Sequence, residues 1–309
     1  MRVLIALNIT AQSQEIVNEL ASRPWPAGTL FLLLHILDPY PFSKAPLSLK
    51  RVKEAAGVEL KSAATRLCEA GWKTETEVVI GIPRRAVSEI AASWRADLVI
   101  VGSNDAGVLM RLFLGSTARS VLRHAPCAVE IVRPSVHGKK DAQPMGIKIL
   151  VATDGSEYST AAIQSVASRP WPKDSVAKVV SVPEPFMPLG EFPYFELREI
   201  EELNAAALND AKRYAEAGAE MLSKAGLNAT AETLRPSESD AREIVKEAAR
   251  WEAQLVVLGS HGRRGFDRLT TGSVAEHVAM HAPCSVEVIR APLVPNAQAK
   301  NISKKGAMP

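Results

Sequence analysis

The stretch that decides the fold is GSHGRRGFDRLTTGS at 259–273, directly after the apolar run LVVL at 255–258. Its glycines and serine follow the spacing G-x2-G-x9-G-S. A buried strand that runs into a glycine-rich loop and then a helix is typical of the carboxyl edge of a parallel sheet, where ligands bind. Backbone N–H groups of such a loop and of a helix start attract anions. The stretch therefore predicts a phosphate-binding loop. The alternative is that the glycines only permit tight turns and Ser273 only caps its helix.

The chain repeats itself. SRPWP occurs at 22–26 and again at 168–172, and WRADLVIVGS at 94–103 matches WEAQLVVLGS at 251–260. Self-similarity over such a distance indicates a duplicated domain. The segment between the copies is polar and rich in helix breakers, as a linker is. We predict a first domain at 1–133, a linker at 134–146, a second domain at 147–291 and a flexible basic tail at 292–309.

Within each copy, apolar runs of strand length alternate with segments of helix length. In the second copy the pattern predicts strands over 149–152, 176–182, 229–233, 255–258 and 285–289. It predicts helices over 159–168, 196–224, 240–251 and 273–281. Continuous apolar strands, each followed by a helix, indicate a parallel sheet covered on both faces. Right-handed crossovers then give two tandem, doubly wound, Rossmann-like α/β domains with five-stranded sheets.

Composition excludes several classes of function. The chain has 309 residues, a net charge of +3 and 47% hydrophobic residues, which is ordinary for a globular protein. It shows no basic stripe of the kind that nucleic acid requires, and no apolar stretch near the ~18 residues of a membrane helix. Three widely spaced cysteines without a CxxC motif indicate free thiols. We predict a cytoplasmic protein with no nucleic-acid partner, no membrane contact and no metal site formed by its histidines or cysteines.

The glycine motif is one of three features shared with a known family. The other two are Asp154, which closes the first strand of the second copy in VATDGS, and the terminal segment HAPCSVEVIR at 281–290. Together they resemble the universal stress proteins, and the resemblance covers both copies. It implies domains of the adenine nucleotide alpha hydrolase-like type that bind ATP or a related adenine nucleotide, with Mg²⁺ on the phosphates. It also implies that the last strands of the two halves pair about a pseudo-two-fold axis. Further homo-oligomers and regulatory protein partners stay open.

The resemblance assigns roles to residues of the second copy. It implies adenosine contacts at the end of the first strand, a backbone contact to the adenine edge after the second strand, and ribose and phosphate contacts in the glycine loop and the following helix start. The residues at these places are Ala152, Thr153, Asp154, Val182, Leu258, Gly259, Gly262, Arg263, Gly272, Ser273 and Val274.

The first copy departs from this pattern. Asn8 stands where the second copy has Asp154, and Asp105 stands where it has Gly262. A carboxylate in the loop would repel phosphates and fill a position that should be bare. We therefore predict one working nucleotide site, in the second copy, and a degenerate site in the first. Binding in both halves is the alternative.

These features favour a nucleotide-dependent regulatory protein of the stress response over an enzyme. A slow ATP hydrolase is the first alternative, and it would need a group that positions water, for which Asp267 and Glu276 are candidates. A scaffold that has lost both sites is the second. The aromatic and proline-rich segment at 187–194 is a hypothetical lid or docking site.

The substitution Gly262→Asp tests the account of the degenerate copy. We expect it to weaken nucleotide binding at least about tenfold, or about 1.4 kcal/mol, because it places a carboxylate beside the phosphates. The domain should stay folded. Isothermal titration calorimetry measures the affinity and circular dichroism the fold, and changes at Asn8 should leave binding as it was. Unchanged affinity in Gly262→Asp would show that this account is wrong.

Overall fold

The computed structural model of this chain describes residues 1–44, 46–103, 114–133, 146–186, 196–236, 239–263 and 271–290. The strands are β1 Arg2–Ala6, β2 Leu30–Leu37, β3 Lys73–Ile80, β4 Leu98–Gly102, β5 Ala128–Val132, β6 Lys148–Ala152, β7 Val176–Ser181, β8 Asn228–Thr233, β9 Leu255–Gly259 and β10 Ser285–Ile289. The α-helices are α1 Ala11–Ser22, α2 Pro46–Glu69, α3 Pro83–Ser93, α4 Ser116–His124, α5 Glu157–Ala167, α6 Leu197–Lys224, α7 Asp240–Arg250 and α8 Ser273–His281, and a short 3-10 helix spans Tyr40–Phe42.

All ten strands form one sheet, in the order β3-β2-β1-β4-β5-β10-β9-β6-β7-β8. Strands within each half are parallel, whereas β5 and β10 pair antiparallel at the centre. The order is symmetric about this central pair, so the last strands meet as the resemblance implies. Because the two halves run in opposite directions, their carboxyl edges lie at opposite edges of the sheet.

The predicted tandem α/β architecture is confirmed, and the differences lie at the ends of elements. Helix α5 begins at Glu157 and not at 159, because Ser156 is its N-cap and its hydroxyl accepts the N–H of Ser159. Strand β7 ends at Ser181, so Val182 follows the strand instead of closing it.

The two faces of the sheet are covered differently. On one face α3, α4, α7 and α8 share a single apolar core that runs across both halves. On the other face α1 and α2 cover a core of the first half, and α5 and α6 cover a separate core of the second. The halves are therefore joined by apolar packing as well as by strand pairing. Among the described residues, no helix has the length and apolar character needed to cross a membrane.

Two glutamates face each other at the centre of the sheet. Glu130 on β5 is in register with Glu287 on β10, and both are fully buried. Nη1 of Arg23 donates to Glu130 at 2.7 Å, and both terminal nitrogens of Arg169 donate to Glu287, Nη1 at 2.7 Å. Burial raises the pKa of Glu130, Arg23 opposes that shift, and the facing Glu287 adds to it. Each arginine comes from one copy of SRPWP, so the repeated motif supplies the charge that each central glutamate needs.

A second pair of arginines crosses between the halves. Arg133, after β5, donates to the carbonyl oxygens of Ala279 at 2.6 Å and Cys284 at 3.2 Å, in and just after α8. Arg290, after β10, donates to the carbonyl oxygen of Leu122 at the end of α4 at 2.9 Å. Cations are favourable at the carbonyl end of a helix, so each half stabilises a helix end of the other.

Arg169→Met tests the buried ion pair. It leaves Glu287 buried without its partner, so we expect the free energy of unfolding to fall by about 3–5 kcal/mol. The double variant Arg169→Met/Glu287→Leu should recover most of this loss, because it removes both charges. Urea unfolding followed by circular dichroism measures each variant. Arg198→Met, which breaks an ion pair that is mostly exposed, is the control. A loss in Arg169→Met no larger than in this control would contradict the assignment.

Candidate functional site

The predicted residues come together in one cavity at the carboxyl edge of the second half. It has a volume of about 410 Å³ and lies between the ends of β6, β7 and β9 and the start of α8. Protein sites for small molecules typically span ~300–1,000 Å³. All eleven residues assigned by resemblance line it: Ala152, Thr153, Asp154, Val182, Leu258, Gly259, Gly262, Arg263, Gly272, Ser273 and Val274.

The glycines of the loop are required by close approaches within the protein. A Cβ atom on Gly259 would lie 2.7 Å from the carbonyl carbon of Tyr158, and one on Gly262 would lie 2.7 Å from Oδ2 of Asp154. Real Cβ atoms essentially never approach so closely. The contact at Gly259 is with rigid backbone, whereas the contact at Gly262 is with the end of a side chain, which can move. The absence of side chains therefore lets the loop rest directly on the start of α5 and on the Asp154 carboxylate.

Asp154 is held by the backbone on both of its oxygens. Oδ1 accepts the N–H of Ser156 at 3.0 Å, and Oδ2 accepts the N–H of Arg263 at 2.9 Å. Burial alone would raise the pKa of Asp154, but the hydrogen bonds from Ser156 and Arg263 outweigh it and hold the pKa below its usual value. At neutral pH the cavity therefore contains an ionised carboxylate that also fixes the position of the glycine loop.

Helix α8 starts at the cavity wall without a side-chain cap. Gly272 is the N-cap residue and has no side chain, and no side chain of the residues that the structure describes caps the first turn in its place. Ser273 is the first helical residue, so the alternative that it is an ordinary N-cap is wrong. The free N–H groups and the positive end of the helix dipole are left for a ligand.

His261 adds a second unsatisfied group to the same wall. Its side chain is only 8% exposed, its ring lies 5.0 Å from that of Tyr158, and Nδ1 is 3.0 Å from the Ser260 hydroxyl. Among the residues that the structure describes, Nε2 has no hydrogen-bond partner. A buried polar group left in this state costs about 1–3 kcal/mol, which an acceptor or donor on a ligand would offset.

Comparison with known proteins identifies the family. The model of the Universal stress protein family matches residues 1–133 and again residues 146–290. The chain belongs to the universal stress protein family. A universal stress protein of Mycolicibacterium smegmatis is 29% identical over 303 residues, which cover 93% of this chain and 96% of that protein. Universal stress protein Rv2005c of Mycobacterium tuberculosis is 30% identical over 246 residues, covering 79% and 74%.

A solved structure has the same architecture over nearly the whole length. The crystal structure of a universal stress protein from Archaeoglobus fulgidus aligns with a TM-score of 0.63 and 17% identity, covering 94% of this chain and 96% of that one. At this level of identity the match supports the fold alone. It agrees with two universal stress domains in tandem.

Several cavity residues of this universal stress protein escaped prediction from the sequence. Glu184 and Asp240 also line the cavity, and burial together with the charges of Glu184 and Asp154 raises the pKa of Asp240. The Arg263 guanidinium lies 4.0 Å from Glu184 and 5.7 Å from the Tyr214 ring. The available signal was position, since Glu184 follows β7 and Asp240 begins α7, both at the carboxyl edge. The other additions are Ser159, Val180, Ile244, Ser260 and Ala275. His261, which the sequence suggests as an added charge on the phosphates, also lines the cavity.

The first half has a smaller cavity at the matching place. Its volume is about 220 Å³, and Asn8 and the start of α4 at Gly115 and Ser116 line it. Pro83 occupies the position that matches Asp240 of the second half. The first cavity therefore has no acid at the positions that match Asp154 and Asp240. Asp105, the residue that departs most from the glycine pattern, lies outside the described residues.

The groups considered for hydrolysis are not assembled by the described part of the chain. Glu276 does not line the cavity; its carboxylate lies 2.5 Å from Nη2 of Arg123 in the first half. Asp267 lies outside the described residues, as does the hypothetical lid or docking site at 187–194. No group of three or more metal-binding side chains occurs within the described ranges.

The pH dependence of stability tests the environment of Asp154. Because its pKa in the fold is below the unfolded value of about 3.9, its ionised form stabilises the fold at neutral pH. That contribution is lost as the pH falls below about 3.9 and through the folded pKa. The stability difference between the native chain and Asp154→Asn should therefore shrink between pH 6 and pH 3, measured by urea unfolding. Glu157→Gln, at an exposed position of α5, is the control. A difference that stays constant across this range would contradict the interpretation.

Proposed function

We propose that the second half of this universal stress protein binds an adenine nucleotide and that the bound state governs its contacts with regulatory partners. The phosphates would lie against the glycine loop and the start of α8, and the adenosine at the ends of β6 and β7. ATP is the first candidate ligand. The glycine loop recognises phosphate through the backbone, so the number of phosphates is a matter for experiment.

The observation that carries this proposal is a wall of polar groups without partners. Within the described part of the chain, the N-terminus of α8 has no side-chain cap and the buried Nε2 of His261 has no partner. Both line the same cavity. The helix start offers N–H donors to a phosphate group, and Nε2 of His261 adds another donor in the tautomer that carries its hydrogen there, so this is the anion-binding end of the cavity.

The opposite end of the cavity suits a nucleoside. Val180, Val182 and Ile244 supply apolar surface for a base, and the backbone after β7 offers donors and acceptors to its edge. The ionised Asp154, which lies between this end and the glycine loop, accepts hydrogen bonds and suits a ribose hydroxyl. The acidic Glu184 and Asp240 keep phosphate away from this end. The charges therefore favour one orientation of the ligand, with phosphate at α8.

The smaller first cavity supports a division of roles. It has about 220 Å³ against about 410 Å³ in the second half, and it has Asn8 in place of Asp154. We propose that the first half does not hold nucleotide and serves as the structural partner of the second. With Glu276 engaged by Arg123, no described residue favours hydrolysis, and we propose binding without turnover.

Ser273→Glu tests the phosphate end. A carboxylate at the start of α8 is favourable to the helix by about 0.3–1 kcal/mol, so the fold should not weaken. It would repel phosphate at the same place, and we expect ATP affinity to fall at least about tenfold. Isothermal titration calorimetry with ATP measures the affinity, and thermal unfolding measures the stability.

The matched control is Ser116→Glu at the start of α4 in the first half. It adds the same charge at the equivalent position and should leave ATP binding unchanged. Native mass spectrometry of the purified chain gives the stoichiometry, expected to be one nucleotide per chain. Full affinity in Ser273→Glu would overturn the proposed phosphate position, and two nucleotides per chain would overturn the division of roles.

A further inference from the structure

Helix α8 carries two imidazoles outside the residues that line the nucleotide cavity. His277 and His281 are one turn apart, and the prediction of no metal site overlooks their spacing, H-x3-H. Residues four apart share one face of a helix. Their ring centroids lie 4.1 Å apart with an angle of 30° between the ring planes. His281 is exposed and His277 is half-buried, so the pair is accessible from solvent.

The hydrogen bonding of His281 fixes which of its nitrogens is free. Nδ1 lies 2.8 Å from the backbone carbonyl oxygen of His277, and a carbonyl oxygen only accepts. Nδ1 therefore carries the hydrogen, and in the neutral ring Nε2 holds the lone pair. Metal-binding histidines commonly donate their other ring N–H to a backbone carbonyl in this way, which fixes the tautomer and the ring orientation.

The first half shows that the helix end does not need two imidazoles. His124 occupies the position that matches His281, and its Nδ1 lies 2.8 Å from the carbonyl oxygen of Ser120. The geometry at the helix end is thus the same in both halves. Ser120, however, matches His277, so only α8 has the second imidazole. One histidine is enough for this contact at the helix end in the first half, so packing there does not require His277.

The separation of the two rings favours one shared cation over two bound protons. Two protonated imidazoles at this separation would repel each other, whereas a metal ion shared by two neutral rings joins them. Glu276, the neighbouring acid on α8, is engaged by Arg123.

We propose that His277 and His281 form a two-imidazole site for a transition-metal dication of the Zn²⁺, Ni²⁺ or Cu²⁺ class. Imidazole suits these ions, while Mg²⁺ and Ca²⁺ prefer oxygen ligands. The described residues supply no third metal-binding side chain in this group, so water completes the coordination. The order of affinity for a nitrogen site places Cu²⁺ above Ni²⁺ and Zn²⁺. The site is separate from the proposed nucleotide cavity, and its test uses metal alone.

The first experiment titrates the full chain, prepared without a histidine tag, with Ni²⁺ and Zn²⁺ in the calorimeter. We expect one site per chain, no response to Mg²⁺, and a rise in melting temperature because the metal binds the folded state. His277→Ser copies the first half. Loss of an outer-shell partner weakens metal binding about tenfold or more. His277→Ser removes a ligand itself, so its metal affinity should fall at least as much. His124→Ala and Cys68→Ser are controls that should bind as the native chain does.

A gain-of-site variant keeps the test decisive if His277→Ser folds poorly. Ser120→His builds the same pair on α4 with His124, and it should raise the stoichiometry to two metal ions per chain. The Cu²⁺ complex of the native chain should show electron paramagnetic resonance splitting from two imidazole nitrogens. Full metal affinity in folded His277→Ser, or a Ser120→His stoichiometry that stays at one, would overturn the proposal.

Discussion

The architecture depends on two carboxylates that must be neutralised where no water reaches them. Glu130 and Glu287 lie side by side on the central antiparallel strands, and each requires an arginine from its own half. Taking such charges out of water is costly unless the partner geometry is good. The arginines can reach the glutamates only when α1 and α5 end at the correct place beside the sheet. The central strand pair therefore fixes the positions of these helices, and α5 in turn bounds the cavity of the second half.

The cavity is tied to the other half by a second set of contacts. Thr271, next to the N-cap of α8, donates its hydroxyl to the carbonyl oxygen of Leu122 in the first half at 2.5 Å. Arg290 binds the same carbonyl. The segment that leads into α8 at the cavity wall thus rests on a helix end of the first half. The first half therefore contributes to the cavity of the second by holding this segment in place.

The sequence predicted the parts of the fold that follow from local pattern. Apolar runs such as 255–258 and the helix starts located most elements within one or two residues. The duplication of SRPWP was visible, but its reason was not, because the partner of Arg23 lies 107 residues away on β5.

The cavity was found through its glycines, whereas Asp240 was missed because its role depends on where α7 begins relative to β6 and β9. The contact between Asp154 and Gly262 likewise could not be predicted, because the two residues are distant in the sequence and meet only in the fold. In the first copy both positions differ, as Asn8 and Asp105, which is consistent with a carboxylate being tolerated at only one of them.

The antiparallel pairing of β5 with β10 affects how the sequences of the two halves can evolve. Pairing within one chain occurs at a high effective concentration and holds at any dilution of the protein. In a dimer of identical subunits, every substitution would appear twice across the axis. At this strand pair each half meets the other half and not a copy of itself, so a change in one half is not imposed on its partner. The covalent link thereby allows the two halves to diverge in sequence and in the size of their cavities.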